Sequence, residues 1–302
     1  MIFPKLQRGK TMGTIILLSV AVLALAGAES SPPVRFDYDV KAPLDVQAGA
    51  PTPREGAGVR ELTYLRLAGG RTGATLVAPE APGRHPGVLF VHWYESEATN
   101  SNRTQFLEEA VGLARAGAVS LLIDTMWSDT KWFFTRDPAD DLKNSIGQVK
   151  ELRRALDLLT ARPEVDPKHI VYVGHDFGAM YGALLGTADG RPSAYVLIAG
   201  TKSFSDWFLL GRKLEGDARA AVVRELAPLD PQRHASALAP KPVLFQFGTE
   251  DHFVPAADAD AFFASAGDPK EIRRYACGHP MNDAARVDRV AWVTAQLGLR
   301  AR

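Results

Sequence analysis

The stretch that decides the fold is Ile170-Val171-Tyr172-Val173-Gly174-His175-Asp176-Phe177-Gly178-Ala179-Met180. Its first four residues are β-branched or aromatic and predict a buried strand, whereas the residues from Ala179 onward favour a helix. The Gly-x-Asp-x-Gly between them predicts a tight turn that holds the side chain of Asp176 above the end of the strand. A strand, a sharp turn and a helix in this order are typical of a nucleophile elbow, which usually carries Ser where this chain has Asp176.

The composition favours a globular domain and argues against nucleic acid as a partner. Of the 302 residues, 46% are hydrophobic, which is enough to build the core of one large α/β domain. Lys and Arg together number 35, and so do Asp and Glu. Because no basic run is interleaved with aromatic residues, we expect no binding of nucleic acid. Cys277 is the only cysteine, so no intrachain disulfide and no Cys-based zinc site can form.

The N-terminus has the residue order of a secretory signal peptide. Lys5, Arg8 and Lys10 precede an apolar run from Ile15 to Ala26, and small residues follow up to Ala28. The run is shorter than the roughly 20 residues that span a bilayer, which favours cleavage over an uncleaved anchor. We therefore interpret residues 1–28 as a signal peptide and predict a secreted or periplasmic protein. After cleavage it would keep no stable membrane span.

The rest of the chain predicts alternating strands and helices. Residues 29–58 are rich in Pro and read as an extended lead-in, and Gly69-Gly70 joins a first strand pair, Glu61 to Leu67 and Thr72 to Ala78. Leu142 to Leu159 has helical spacing of its apolar residues, and Thr201 to Leu238 reads as an irregular, partly helical insert. Buried strands are predicted at Val88–Val91, Val119–Ile123, Ile170–Val173, Tyr195–Ala199, Val243–Phe247 and Ile272–Ala276. This alternation predicts an α/β fold over residues 59–302, a doubly wound, mostly parallel sheet with a short helical insert.

Three chemically useful side chains follow strands of the predicted sheet. They are Asp176 at the turn, Asp251 after the strand at Val243–Phe247, and His279 after the last strand. Ligands of such sheets bind outside the carboxyl ends of the strands, so these side chains are expected to meet there. A nucleophile, an acid and a histidine in this chain order form a catalytic triad. Glu250 and Asp206 are alternatives for the acid.

These motifs resemble those of α/β-hydrolases. The elbow from Gly174 to Gly178, the segment from Gly248 to Pro255 and Gly278-His279 are together similar to the branch that includes dienelactone hydrolases and acyl peptidases. The resemblance covers roughly residues 60–299. The Asp in the elbow is instead similar to the elbow of haloalkane dehalogenases and epoxide hydrolases, whose Gly-His-Asp-aromatic-Gly matches Gly174 to Gly178.

The resemblance and the chemistry of a carboxylate together suggest a reaction. Attack by Asp176 on an acyl carbonyl would give a mixed anhydride, whereas attack on a saturated carbon gives an ordinary ester. His279, oriented by Asp251, would then activate the water that hydrolyses this ester. We expect the backbone N–H groups of Trp93 and Phe177 to form the oxyanion hole. The side chains expected to line the substrate pocket are His92, Tyr94, His175, Trp127 and Trp207.

The leading hypothesis is thus a hydrolase that acts on a small organic molecule through an ester of Asp176. A second hypothesis is an esterase or peptidase in which Asp176 acts as a base for direct attack by water. A third is a non-catalytic binding protein that keeps the fold and the pocket. The triad needs only water, so no cofactor and no metal are predicted. The sequence leaves the oligomeric state open.

Overall fold

The computed structural model describes residues 34–300 and folds them around a sheet of ten strands. The strands are β1 (Gln47–Ala48), β2 (Thr52–Arg54), β3 (Ala57–Leu65), β4 (Arg71–Pro79), β5 (His85–Val91), β6 (Val119–Ile123), β7 (Val165–His175), β8 (Pro192–Ile198), β9 (Val243–Gly248) and β10 (Lys270–Tyr275). The helices are α1 (Leu107–Ala116), α2 (Trp132–Thr135), α3 (Asp141–Thr160), α4 (Phe177–Ala188), α5 (Phe204–Phe208), α6 (Gly216–Leu226), α7 (Pro231–His234), α8 (Ala256–Ser265) and α9 (Asp283–Gln296).

The sheet is parallel over most of its width. Its order is β1-β3-β4-β6-β5-β7-β8-β9-β10, and β2 also pairs with β3. Strands β6, β5, β7, β8, β9 and β10, in the order in which they lie in the sheet, are mutually parallel. Strands β3 and β4 pair with each other in antiparallel fashion, and β4 is also antiparallel to β6. This arrangement confirms the predicted doubly wound, mostly parallel sheet.

The central strands are apolar on both faces because helices cover both sides of the sheet. Strand β5 illustrates the alternation. Leu89 and Val91 belong to the core cluster that includes residues of α3 and α4, whereas Val88 and Phe90 belong to the cluster that includes residues of α1 and α9. Because helices cover both faces of the sheet, the loops that follow the carboxyl ends of the parallel strands lie at the edge of the sheet. A site can form among these loops.

The predicted elements agree with the structure in type and differ in their ends. The helix α3 and the helical segments between residues 201 and 238 lie where the sequence predicts them. The first strand pair begins earlier than predicted, at Ala57 and Arg71. Within the predicted lead-in, β1 and β2 pair with β3, and Pro53 is tolerated there because β2 is an edge strand.

The predicted signal peptide, residues 1–28, lies outside the described residues. Among residues 34–300, no helix combines the length and the apolarity that crossing a bilayer requires.

Candidate active site

Asp176 lies at the sharp turn between β7 and α4. Its backbone has φ 61° and ψ −121°, a conformation that L-residues rarely adopt. Two glycines make the turn possible. A Cβ on Gly174 would lie 2.3 Å from the carbonyl oxygen of Gly178, and a Cβ on Gly178 would lie 2.4 Å from the carbonyl oxygen of Val91. The Gly-x-Asp-x-Gly pattern is therefore a steric requirement of packing the first turn of α4 against β5 and β7.

The loops after β9 and β10 bring two further side chains to Asp176. The Nδ1 atom of His279 lies 2.8 Å from Oδ2 of Asp251, and its Nε2 atom lies 4.0 Å from Oδ2 of Asp176. The other oxygen of Asp251 accepts hydrogen bonds from the backbone N–H groups of Phe253 and Val254, at 2.8 and 3.2 Å. Asp251 is thus held by its own loop and orients His279, whose Nε2 faces the carboxylate of Asp176.

The two alternative acids lie elsewhere. Glu250 is exposed to solvent. Asp206 lies 3.6 Å from the Nζ atom of Lys202 and 3.4 Å from the hydroxyl of Thr201. Asp251 is therefore the carboxylate that contacts His279.

The backbone donors at the site differ from the predicted pair in one member. The N–H of Tyr94 donates to Oδ2 of Asp176 at 2.8 Å, and the nearby N–H of Phe177 favours the charged form of this carboxylate and so lowers its pKa. The N–H of Trp93 instead donates to Oε1 of Gln105 at 2.9 Å. The expectation that Trp93 contributes to the oxyanion hole is therefore wrong, because the chain after β5 turns this N–H toward Gln105. The donor observed on the carboxylate of Asp176 is Tyr94, and the contribution of Phe177 to an oxyanion hole stays a prediction.

Burial and charge shift the pKa values of these groups toward neutral pH. Burial raises the pKa of Asp176 from 3.8 to about 7, although His279 and the N–H groups of Tyr94 and Phe177 oppose the rise. For His279, burial lowers the pKa, but the hydrogen bond to Asp251 and the charges of Asp176 and Asp251 outweigh it. The net pKa of His279 is above 6.5. Asp176 thus binds a proton more readily than a free carboxylate does, and the neighbouring His279 more readily than a free imidazole does.

A cavity of about 490 Å³ opens directly onto Asp176 and His279. Aromatic side chains form most of its wall, namely Trp93, Tyr94, Phe133, Phe134, Phe177, Trp207 and Phe253. Among the described residues, no Lys and no Arg lines the cavity, whereas Glu95 and Glu97 do. The cavity therefore suits an apolar molecule of small size.

Two of the five predicted pocket side chains, Tyr94 and Trp207, line this cavity. The prediction is wrong for the other three, which are His92, His175 and Trp127. Their side chains lie behind the wall of the cavity and form hydrogen bonds to protein groups there. His92 bonds the carbonyl oxygen of Trp93 and the hydroxyl of Ser128. Trp127 donates its indole N–H to the carbonyl oxygen of His92.

His175 lies beneath the site, and its Nε2 atom is 3.0 Å from the carbonyl oxygen of His279. Burial lowers the pKa of His92 to about 4 and lowers that of His175 well below 6.5. Both rings are therefore neutral at physiological pH and serve as hydrogen-bonding elements of the wall.

Sequence reasoning missed Gln105 and Phe253. Gln105 precedes α1 in a short helical turn, Arg103–Phe106, and follows no strand directly. Phe253 is two residues beyond Asp251, is 57% exposed, and packs edge-on against the ring of His279 at 5.2 Å. The sequence sign that could have indicated this part of the pocket wall was an aromatic residue two positions beyond a predicted catalytic acid.

Known proteins share the fold of this chain at low sequence identity. The acetyl xylan esterase from Paenibacillus sp. R4 superposes with a TM-score of 0.70 at 20% identity, over 84% of this chain and 89% of that chain. The acetyl xylan esterase 1 from Thermoanaerobacterium sp. JW/SL YS485 superposes with a TM-score of 0.65 at 14% identity, over 84% of this chain and 88% of that chain. These likenesses establish the α/β-hydrolase fold.

Sequence comparison adds little beyond the fold. The uncharacterized protein YfhR of Salmonella typhi is 27% identical over 136 residues, which are 41% of this chain and 44% of YfhR. The match thus spans less than half the length of that relative. No family model matches the chain.

Proposed function

We propose that this chain is a hydrolase of small, apolar organic molecules in which Asp176 attacks a saturated carbon and forms an ester intermediate. The observation that carries the proposal is that the backbone N–H of Tyr94 donates to Oδ2 of Asp176 at 2.8 Å. In an enzyme with a serine nucleophile, such a donor must be free to bind the carbonyl oxygen of the substrate. Here the carboxylate of the nucleophile itself occupies the donor, which suits a substrate that has no carbonyl group at the reacting carbon.

In the first step, one oxygen of Asp176 displaces a leaving group, such as a halide or an epoxide oxygen, from the substrate carbon. A carbon–oxygen bond forms, and the electron pair of the bond that breaks goes to the leaving atom. A halide departs, whereas an epoxide oxygen stays on the neighbouring carbon and takes a proton, for which protonated His279 is the available donor. The N–H of Tyr94 holds Oδ2 of Asp176 while the other oxygen attacks. The aromatic wall excludes water from the reacting carbon, which favours the carboxylate over hydroxide as the nucleophile.

In the second step, water hydrolyses the ester at the carboxyl carbon of Asp176. The 4.0 Å between Nε2 of His279 and Oδ2 of Asp176 is wide enough for a water molecule to bind next to both groups. His279 takes a proton from this water, and Asp251 stabilises the imidazolium that forms. The N–H of Tyr94, which already bonds Oδ2 of Asp176, stabilises the negative charge that develops on this oxygen. When the tetrahedral intermediate collapses, the imidazolium of His279 returns its proton to the departing alcohol oxygen. The carboxylic acid that is left on Asp176 loses its proton to solvent, which regenerates the carboxylate.

A second candidate is an esterase in which Asp176 acts as a base for direct attack by water on an acyl group. The observation in its favour is that the structures quoted above are esterases by name. Against it stands the occupation of the Tyr94 N–H by Asp176, which removes one donor from the acyl oxygen of an ester. A third candidate, the binding protein, is disfavoured because the Asp251–His279 pair is intact and serves no purpose in a passive pocket.

The first test compares the wild type with Asp176→Asn and Asp176→Ser on primary bromoalkanes, styrene oxide and p-nitrophenyl acetate. The proposal expects turnover of a bromoalkane or of the epoxide by the wild type and at least a 10³-fold loss in Asp176→Asn, because an amide is not a nucleophile. If only Asp176→Ser cleaves the ester and the wild type acts on nothing, the binding-protein candidate is supported instead.

A second test follows the oxygen atoms. A single turnover in H₂¹⁸O with excess enzyme labels Asp176 and leaves the alcohol unlabelled if the ester forms, because the alcohol takes its oxygen from the carboxylate. Direct attack by water puts ¹⁸O into the product of that first turnover. Mass spectrometry of the peptide that contains Asp176 and of the product separates the two candidates, the product being the alcohol from a bromoalkane or epoxide and the acid from an ester.

A third test removes the base. In His279→Ala, the first step proceeds and the second loses general-base catalysis, which contributes about 10²–10⁴-fold. We expect one equivalent of leaving group to be released and the mass of the alkyl group to appear on Asp176. A variant that binds the true substrate yet forms no adduct contradicts the ester intermediate.

The proposed setting of this reaction is outside the cytoplasm, on the basis of the residue order in positions 1–28. N-terminal sequencing of protein recovered from the periplasm tests it, and we expect the chain to begin at Glu29. Recovery of an intact N-terminus in the membrane fraction would favour the anchor instead.

A further inference from the structure

Gln105 joins three segments that meet at the site. It belongs to the short helical turn before α1, and both ends of its side-chain amide are used. Its Oε1 accepts the N–H of Trp93 at 2.9 Å, and its Nε2 lies 2.6 Å from Nδ1 of His175. The Nε2 atom of His175 in turn lies 3.0 Å from the carbonyl oxygen of His279. One amide and one imidazole therefore connect the loop after β5, the elbow and the loop after β10.

The direction of every hydrogen bond in this chain follows from its ends. A backbone N–H can only donate, so the amide of Gln105 must turn its oxygen toward Trp93. Its NH₂ group then donates to Nδ1 of His175, which must be unprotonated. The remaining proton of the neutral ring is on Nε2, which donates to the carbonyl oxygen of His279. Buried as it is, His175 has its pKa lowered well below 6.5, which keeps this single neutral form.

The turn that carries Gln105 is anchored to the sheet. Its neighbour Arg103 makes ion pairs with Asp124 at 2.5 Å and with Glu61 at 2.7 Å, and bonds the hydroxyl of Thr75 at 3.1 Å. Asp124 directly follows β6, whereas Glu61 and Thr75 lie on β3 and β4. These contacts hold the side-chain amide of Gln105 in a fixed position near the carboxyl ends of the strands.

We propose that Gln105 is a positioning residue which, by holding the N–H of Trp93, directs the next N–H along the chain, that of Tyr94, onto Asp176. Through His175 the same residue fixes the loop that carries His279. The inference rests on the proposed function only for its catalytic consequence, since the hydrogen bonds themselves do not depend on the substrate. It also accounts for the use of Tyr94 in place of Trp93 as the backbone donor.

The test replaces Gln105 by Met, which has a similar shape and no hydrogen-bonding amide. Without its anchor the N–H of Tyr94 leaves Asp176, which loses a bond that favours its charged form. We expect the pKa of Asp176 to rise by about one unit. Carbon-13 NMR of the Asp carboxyl groups measures this pKa without any substrate, and Asp176→Asn assigns the signal.

Gln148→Met is the matched control. Gln148 is buried, whereas Gln105 is half-buried, and the Oε1 of Gln148 likewise accepts a backbone N–H, that of Met126, at 2.7 Å. Each Met variant loses one such bond to a backbone N–H, so a fall in Tm is expected for both. Only Gln105→Met should move the Asp176 titration, lower kcat by about 10-fold or more and leave KM within about 3-fold. An unchanged pKa of Asp176 in a folded Gln105→Met protein overturns the proposal.

Gln105→Glu supplies a second readout in a side chain of the same size. The carboxylate still accepts from Trp93, but its other oxygen cannot donate to Nδ1 of His175. Nitrogen-15 NMR should then find a proton on Nδ1 of His175, where the wild type carries it on Nε2 alone. An unchanged tautomer in Gln105→Glu contradicts the coupling through His175. Because neither NMR measurement needs turnover, loss of the proposed hydrolytic function would leave both results interpretable.

Discussion

Replacement of Asp176 by Asn should make the protein more stable above mildly acidic pH, and the gain should grow with pH. Burial raises the pKa of Asp176 from 3.8 to about 7 in the folded chain. Between these values the native state holds a proton that the unfolded state has lost, so the stability of the wild type falls as pH rises through this window. Below this window Asp176 is protonated in both the folded and the unfolded state, so it contributes nothing to the dependence of stability on pH.

The magnitude follows from the difference between the two pKa values. One pKa unit corresponds to about 1.4 kcal/mol, so the full shift is worth about 4 kcal/mol above neutral pH. Between about pH 4 and about pH 6 the difference in stability between Asp176→Asn and wild type should grow by about 2–3 kcal/mol. His279 adds little slope in this range, because its raised pKa keeps it protonated in the folded chain and it is protonated when unfolded.

Urea unfolding of the two proteins across this pH range, followed by tryptophan fluorescence, measures the difference. Asp251→Asn, compared with wild type in the same way, is the control, because the carboxylate of Asp251 accepts hydrogen bonds from two backbone N–H groups and contacts His279. The reasoning is refuted if wild type gains stability over Asp176→Asn as pH rises. That result would mean that the backbone donors outweigh burial and that Asp176 is a structural carboxylate with a lowered pKa.

Three further outcomes are expected. The rate constant kcat/KM should rise with pH to a plateau with a midpoint near pH 7, because Asp176 must be ionised to form the ester. A midpoint near pH 4 in the pH–rate profile would contradict the shifted pKa of Asp176. Gly178→Ala should lower the free energy of unfolding by about 3 kcal/mol or more, because its Cβ would lie 2.4 Å from the carbonyl oxygen of Val91. The control is Gly112→Ala, whose Cβ meets no atom within 4 Å and which should be neutral or stabilising in thermal unfolding. Arg289→Met should cost about 3–5 kcal/mol because it leaves the buried Glu109 without its cation, and the double variant with Glu109→Leu should recover most of the loss in urea unfolding.

Local sequence patterns were sufficient to predict the sheet and the elbow. Continuous apolar runs predict strands that are covered on both faces, and the glycines at 174 and 178 predict a turn that only small residues allow. The order of Asp176, Asp251 and His279 then follows from where strands end, because parallel strands bring their carboxyl ends to one edge. Each of these inferences depends on neighbours in the chain or on a general property of parallel sheets.

The tertiary structure decided which groups face one another. Asp251 rather than Glu250 contacts His279, and Tyr94 rather than Trp93 donates to Asp176, although the members of each pair are adjacent in sequence. The physical reason is that successive side chains and N–H groups of a loop point in different directions, and packing against distant segments selects one of them. In the loop after β5, the contact that selects the donor is the hydrogen bond from the N–H of Trp93 to Gln105. No sequence pattern in the short helical turn that contains Gln105 indicates that it binds this N–H.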